Sequence, residues 1–204
     1  RAPAAAPDDA AVFNALCGLL HTWRPQQSEF MSAAPAPAAV PTTPAQRPMA
    51  MGELVSVLSL LQATVPQSVA AAMQSPELSL SEMLKREMIA NTKHIGLAPD
   101  QIRMSRDDED AIDLVGMLFD VLFDERDFEM QARGLVSRMV VPYVKAAVID
   151  RQMFQSKAHP ARRLLNSVAE AVEGNKGEGP QELELLNKAE TVVDRLIAEF
   201  NEDV

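Results

Sequence analysis

From residue 50 onward, apolar side chains return every three or four positions, the spacing of helices that bury one face. The spacing predicts a helix over residues 50–63, with Leu54, Val57, Leu58 and Leu61 on its apolar side. Ser79-Leu80-Ser81-Glu82 is a capping box: the serine oxygen takes a first-turn N–H and the glutamate reaches back to the cap. The helix it opens is predicted to run to about His94 and stop at Gly96. Residues 107–124 begin on Asp107-Asp108-Glu109-Asp110, and acidic residues suit the positive end of a helix. The long apolar stretch 128–153 contains Pro142, which must kink it or split it in two. Pro160 fits a first helical position, where its missing N–H costs nothing, and that helix should reach Val172. After a Gly-rich turn at 174–180, a last helix is predicted over 181–204. Its residues Leu186, Ala189, Val193, Leu196 and Phe200 form a narrow seam for one neighbour.

The first 48 residues read differently. Residues 1–9 are Ala/Pro-rich, and Val12, Phe13, Leu16, Leu19, Leu20 and Trp23 then mark one short amphipathic helix within 9–23, ended by Pro25. Pro35, Pro37, Pro41, Pro44 and Pro48 make the stretch that follows an extended linker. An isolated amphipathic helix on a tether needs a groove, in its own domain or in a partner. Phe13, Leu16, Leu20 and Trp23 are the expected docking residues. No alternating run and no Asn-Gly or Asp-Gly turn announces a sheet. The expected fold is therefore all-α: packed antiparallel helical hairpins over 49–204, as an irregular α-solenoid or bundle, behind a Pro-rich arm over 1–48. The chain opens on Arg1 and closes on Val204 inside a helical pattern, so a fragment of a longer protein is expected.

Composition narrows the classes. The single cysteine, Cys17, excludes an intrachain disulfide and a zinc–cysteine cluster. Net charge is −10, and residues 105–204 carry 21 acidic against 12 basic groups. Such a surface repels phosphate backbones, so general nucleic-acid binding is disfavoured. No apolar run reaches the ~18 residues needed to span a bilayer.

Several constellations carry candidate chemistry. Asp113, Asp120 and Asp124 share a helix face with Gly116 between them. Asp113 and Asp120 lie two turns apart, roughly 10 Å, too far to share one ion, while Asp120 and Asp124 could share one weakly; a solvated or salt-bridged face is the preferred reading, and no metal is expected. Arg133, Arg138 and Lys145 are expected to face the acidic helix across a hairpin and help set register. Lys157, His159, Arg162 and Arg163 gather at one helix start, where free N–H groups and the dipole favour an anion. They either hold a phosphate or acidic peptide, or bind neighbouring carboxylates and carbonyls with His159 as the cap. His21, His94 and His159 lie far apart and form no metal pair. Met49, Met51, Met83, Met88, Met104 and Met117 are core filler or the lining of an adaptable groove. G-x-S-x-G, phosphate-loop and H-E-x-x-H motifs are missing, so no enzyme activity and no cofactor are expected.

Leu118-Phe119-Asp120-Val121-Leu122, the run from Ser137 to Asp150, Met153-Phe154 and His159-Pro160-Ala161-Arg162-Arg163-Leu164-Leu165-Asn166 together resemble a large, poorly characterised proteobacterial family. Some of its members carry the label thymidine phosphorylase. That label finds no support in the residues, which show neither a glycine-rich phosphate loop nor α/β alternation. The resemblance implies a bacterial, cytoplasmic regulatory or scaffolding protein and brings no established active site. The expected function is a non-enzymatic interaction module that docks a partner helix or its own tethered helix. The alternative is a regulator that binds a nucleotide or cyclic dinucleotide through Lys157, His159, Arg162 and Arg163.

Overall fold

A computed structural model describes residues 15–20, 46–73, 79–156 and 158–202, without the side chains of 200–202. The helices from Met51 onward are α1 (Met51–Ala63), α2 (Gln67–Ala72), α3 (Leu80–Asn91), α4 (Arg106–Glu125), α5 (Met130–Ser137), α6 (Val140–Ile149), α7 (Gln152–Gln155), α8 (Pro160–Val172) and α9 (Pro180–Glu202). The all-α expectation holds. The departure is a two-residue parallel pair, β1 (Arg47–Pro48) with β2 (Ile102–Arg103). The Arg47 N–H donates to the Gln101 carbonyl at 3.0 Å and the Met49 N–H to Arg103 at 2.9 Å. So short a pairing leaves no alternating pattern in a sequence, and it ties the start of the domain to the loop before α4.

Helix boundaries follow local chemistry. Ser79 caps α3 by accepting the Glu82 N–H, but Glu82 does not close the expected box; its carboxylate pairs with Lys85 at 2.7 Å. After α3 a 3-10 turn (Thr92–Ile95) ends at Gly96, whose φ of 78° is the left-handed stop that glycine permits. Ser105 caps α4 by accepting the Asp108 N–H at 3.2 Å. The 128–153 stretch divides at Arg138–Met139, ahead of Pro142. Pro142 thus sits in the first turn of α6, where an N–H has no helical partner to lose. α2 and the one-turn α7 are too short to show periodicity.

One continuous core runs from Met49 to Val193. α4 lies at its centre against α3 and α6; α6 also meets α1, and α8 pairs with α9 beside α5 and α6. Gly116 lets α3 and α4 approach closely: a Cβ there would stand 2.8 Å from the Ser81 Cβ. Phe119 joins α4 to α6 through an edge-on contact with Tyr143, ring centroids 5.8 Å apart. Met49, Met88 and Met104 are buried in this core while Met51 and Met117 face solvent, so the six methionines line no common groove.

The described ion pairs of the acidic helix are made with Lys85 and Arg151. Asp113 is buried and pairs with Lys85 of α3 at 2.8 Å. Burial pulls the Lys85 pKa down, but its bonds to Asp113 and Glu82 outweigh that and leave it raised. Arg151, next to α7, holds Asp107 at 2.7 Å and the buried Asp108 at 3.1 Å. Arg138 instead pairs with Asp194 and Glu190 of α9. Arg133 stands 4.5 Å over the Phe123 ring and donates to the Met73 carbonyl. Lys145 is buried and donates to Ser59 of α1 at 3.1 Å. Asp120 and Asp124 lie near each other on the open side of α4. Partial burial, then the Asp124 charge, raises the Asp120 pKa.

Candidate functional site

The site is built where α6 ends and α8 begins. Asp150 closes α6, its N–H donating to the Ala146 carbonyl at 2.8 Å. Its Oδ1 then accepts the Gln152 N–H at 2.9 Å and opens α7. One turn later His159 caps α8: its Nδ1 accepts the Ala161 N–H at 3.2 Å, and Pro160 takes the first helical position. An accepting Nδ1 puts the proton of the neutral ring on Nε2, which lies 3.4 Å from Asp150 Oδ2. The Tyr143 hydroxyl donates to the Ala161 carbonyl and fastens α6 to the first turn of α8. Burial pushes the Tyr143 phenol well above its ordinary pKa, so it stays a donor.

These bonds hold open a cavity of about 350 Å³ between α6, α8 and α9. Pro142, Tyr143, Ala146 and Ile149 line it from α6, Pro160, Ala161 and Leu164 from α8, and Leu196 from α9. Asp150 and His159 make its polar rim. Ile149 is 55% exposed at the mouth. The volume is at the small end of ligand pockets, which run to roughly 300–1,000 Å³. A second, wider hollow of about 680 Å³ lies between the α1–α2 corner and α5. Its arginines, Arg133 and Arg138, are already engaged as described above.

Three of the four residues of the expected anion site are described, all at the start of α8. Lys157 lies outside the described residues. His159 is at the helix start as a cap. Arg162 is half-buried, Arg163 is exposed, and neither makes an ion pair among the described residues. Asp150 stands beside His159, so a carboxylate already occupies the neighbourhood of that helix end. No group of three or more His, Cys, Asp or Glu able to hold a metal occurs among the described residues.

Of the arm residues, Phe13 and Trp23 lie outside the described residues. The described piece, 15–20, is helical. Leu20 is 8% exposed, whereas Leu16 is 42% and Leu19 66% exposed. Cys17 lies close enough to Asp110, Asp107 and Arg151 to feel their charges. Burial first, then the two carboxylates, raises its thiol pKa, with Arg151 opposing. The described turn therefore rests beside the start of α4 and the end of α6.

Sequence reasoning passed over Tyr143, Asp150 and Leu164. The signal present was the pair of prolines, Pro142 and Pro160, both in first turns and both in the cavity wall.

A family model described as "Protein of unknown function (DUF1631) 2nd domain" matches residues 48–203. The chain belongs to that family. The match covers the whole helical domain with the cavity and begins at Pro48, so the arm lies ahead of it. No curated protein matches the chain, and no solved structure does. No helix among the described residues is long and apolar enough to cross a membrane.

Proposed function

We propose that this domain is a non-enzymatic interaction or scaffolding module of a bacterial regulatory protein, and that it works by accepting an apolar helix. The observation that carries the reading is the cavity between α6, α8 and α9. Its wall is apolar on three helices, its rim is one carboxylate–imidazole pair, and Ile149 stands exposed at its edge. Apolar walls with a few placed polar groups are how grooves take the anchor residue of an amphipathic helix. Among the described residues the core cluster begins at Met49. Residues 46–204 are therefore the right species for a titration with a peptide of residues 9–25, followed by calorimetry at several temperatures. Saturable binding with a negative heat-capacity change is expected, because apolar surface is buried. Absence of binding by this and other amphipathic helices would sink the reading.

A second reading, a regulator that binds a phosphate-bearing ligand, draws on Arg162 and Arg163, which make no ion pair among the described residues. The Asp150 carboxylate beside the cap weighs against it. Calorimetry of the full chain with nucleotides and cyclic dinucleotides tests it; no heat from any of them removes it.

A further inference from the structure

The arm supplies an occupant for the cavity, an inference that rests on the module reading above. Leu20 is buried although it belongs to a segment outside the main core cluster. Cys17 lies beside Asp107, Asp110 and Arg151, and Arg151 directly follows Asp150 on the cavity rim. Trp23 is three residues beyond Leu20. A continuing helix carries it about 4.5 Å further, and an extended chain about 10 Å. The cavity of about 350 Å³ suits one large aromatic side chain and is too apolar for a phosphate. Asp150 has acceptor capacity left after its bonds to Gln152 and His159, since a carboxylate offers about four lone-pair sites. An indole can use it through Nε1–H, whereas Phe13 and Phe30, the phenylalanines of the arm, have nothing to donate. His21 and Arg24 flank Trp23 and carry, or can carry, the charge opposite to Asp150 and Asp107.

We propose that the indole of Trp23 docks in the cavity between α6, α8 and α9, with its Nε1–H toward Asp150. The arm is then an internal occupant, and a partner helix must displace it to use the same cavity.

The chain holds one Trp and one Tyr, so both optical signals are unambiguous. The test uses the full chain at several concentrations. The intact protein should show blue-shifted Trp emission, weak acrylamide quenching and energy transfer from Tyr143. Leu164→Arg and Ile149→Arg should shift emission toward that of a water-exposed indole and raise quenching several-fold, with the helical circular dichroism unchanged. Ile149 is exposed, so its variant keeps the test sound if Leu164→Arg fails to fold. Exposed-type emission in the intact chain, or emission that neither variant moves, overturns the proposal. So does a blue shift that disappears on dilution, because the occupant is then a second copy. Peptide binding by residues 46–204 together with an unmoved Trp signal would defeat this inference and leave the module reading standing.

Discussion

The start of α8 uses arginine in the opposite way from the start of α4. At α4, Arg151 is bound to Asp107 and Asp108, and Lys85 to Asp113, two of the three carboxylates being buried. At α8, Arg162 and Arg163 stand next to an apolar cavity without an ion pair among the described residues. The first arrangement joins α3 and α7 to α4 and fixes how they sit. The second leaves charge and apolar surface side by side, as at the rim and centre of a binding patch. Similar residue types therefore serve register in one place and remain available in the other, and the difference lies in which carboxylates the fold brings near.

Mutations can break this comparison. The largest effect is expected at the α3–α4 crossing, where Gly116→Ala would drive a methyl to 2.8 Å from the Ser81 Cβ. Overpacking of this kind costs about 1–3 kcal/mol, read as a lower urea midpoint. A wild-type midpoint for this variant would mean that the acidic helix is held loosely after all. Arg151→Ala comes next. Among the described residues it leaves the buried Asp108 with its Ser105 bonds alone, and loss of a charge-assisted bond costs about 2 kcal/mol. Arg162→Ala and Arg163→Ala, by contrast, should each stay within about 0.5 kcal/mol in the same assay. Equal losses at Arg151 and Arg162 would erase the distinction between the two ends.

The smallest effect is a pH effect at the arm junction. Arg47 donates to Glu53 at 2.8 and 2.6 Å, and the Ala50 N–H donates to the same carboxylate. The Arg47 bonds first, then the Ala50 bond, lower the Glu53 pKa from 4.5 to about 2. A lowered folded-state pKa contributes stability that is complete above the unfolded value and lost as pH falls through the folded one. Amide exchange at Met49 and Ala50 should therefore gain on the core between pH 4.5 and 2, apart from its intrinsic pH dependence. Protection unchanged over that window would show that the β1–β2 pair holds without the ion pair.

Much of the fold was legible because helix formation is local. The Ser79 cap, the Gly96 stop, the Pro160 start and the Leu186–Val193 seam all announce themselves within a turn or two. Ser105, the cap of α4, is equally local but stands beside an acidic run that marks the same helix start more strongly. The candidate site was less legible. His159 was read at its helix start, but its bond to Asp150 spans nine residues and the Tyr143–Ala161 bond eighteen. Neither partner stands out by type or spacing. Arg133 does face α4, but through the Phe123 ring and carbonyl instead of a carboxylate, and Arg138 turns away, because the direction a side chain takes depends on which neighbour the backbone turn presents. Arg133 met a carbonyl and an aromatic ring, and Arg138 met α9.

By itself the chain's order of apolar and polar residues determined that this would be a helical domain behind a proline-rich arm, because periodicity, caps and prolines act over a few residues. Which charges neutralise one another, that Leu20 is buried, and that two helices with proline in their first turns leave an apolar hollow beside Asp150 were decided by the tertiary structure alone. The reason is physical: ion pairs and cavities depend on distances between segments remote in sequence, and those distances exist only once the helices have packed.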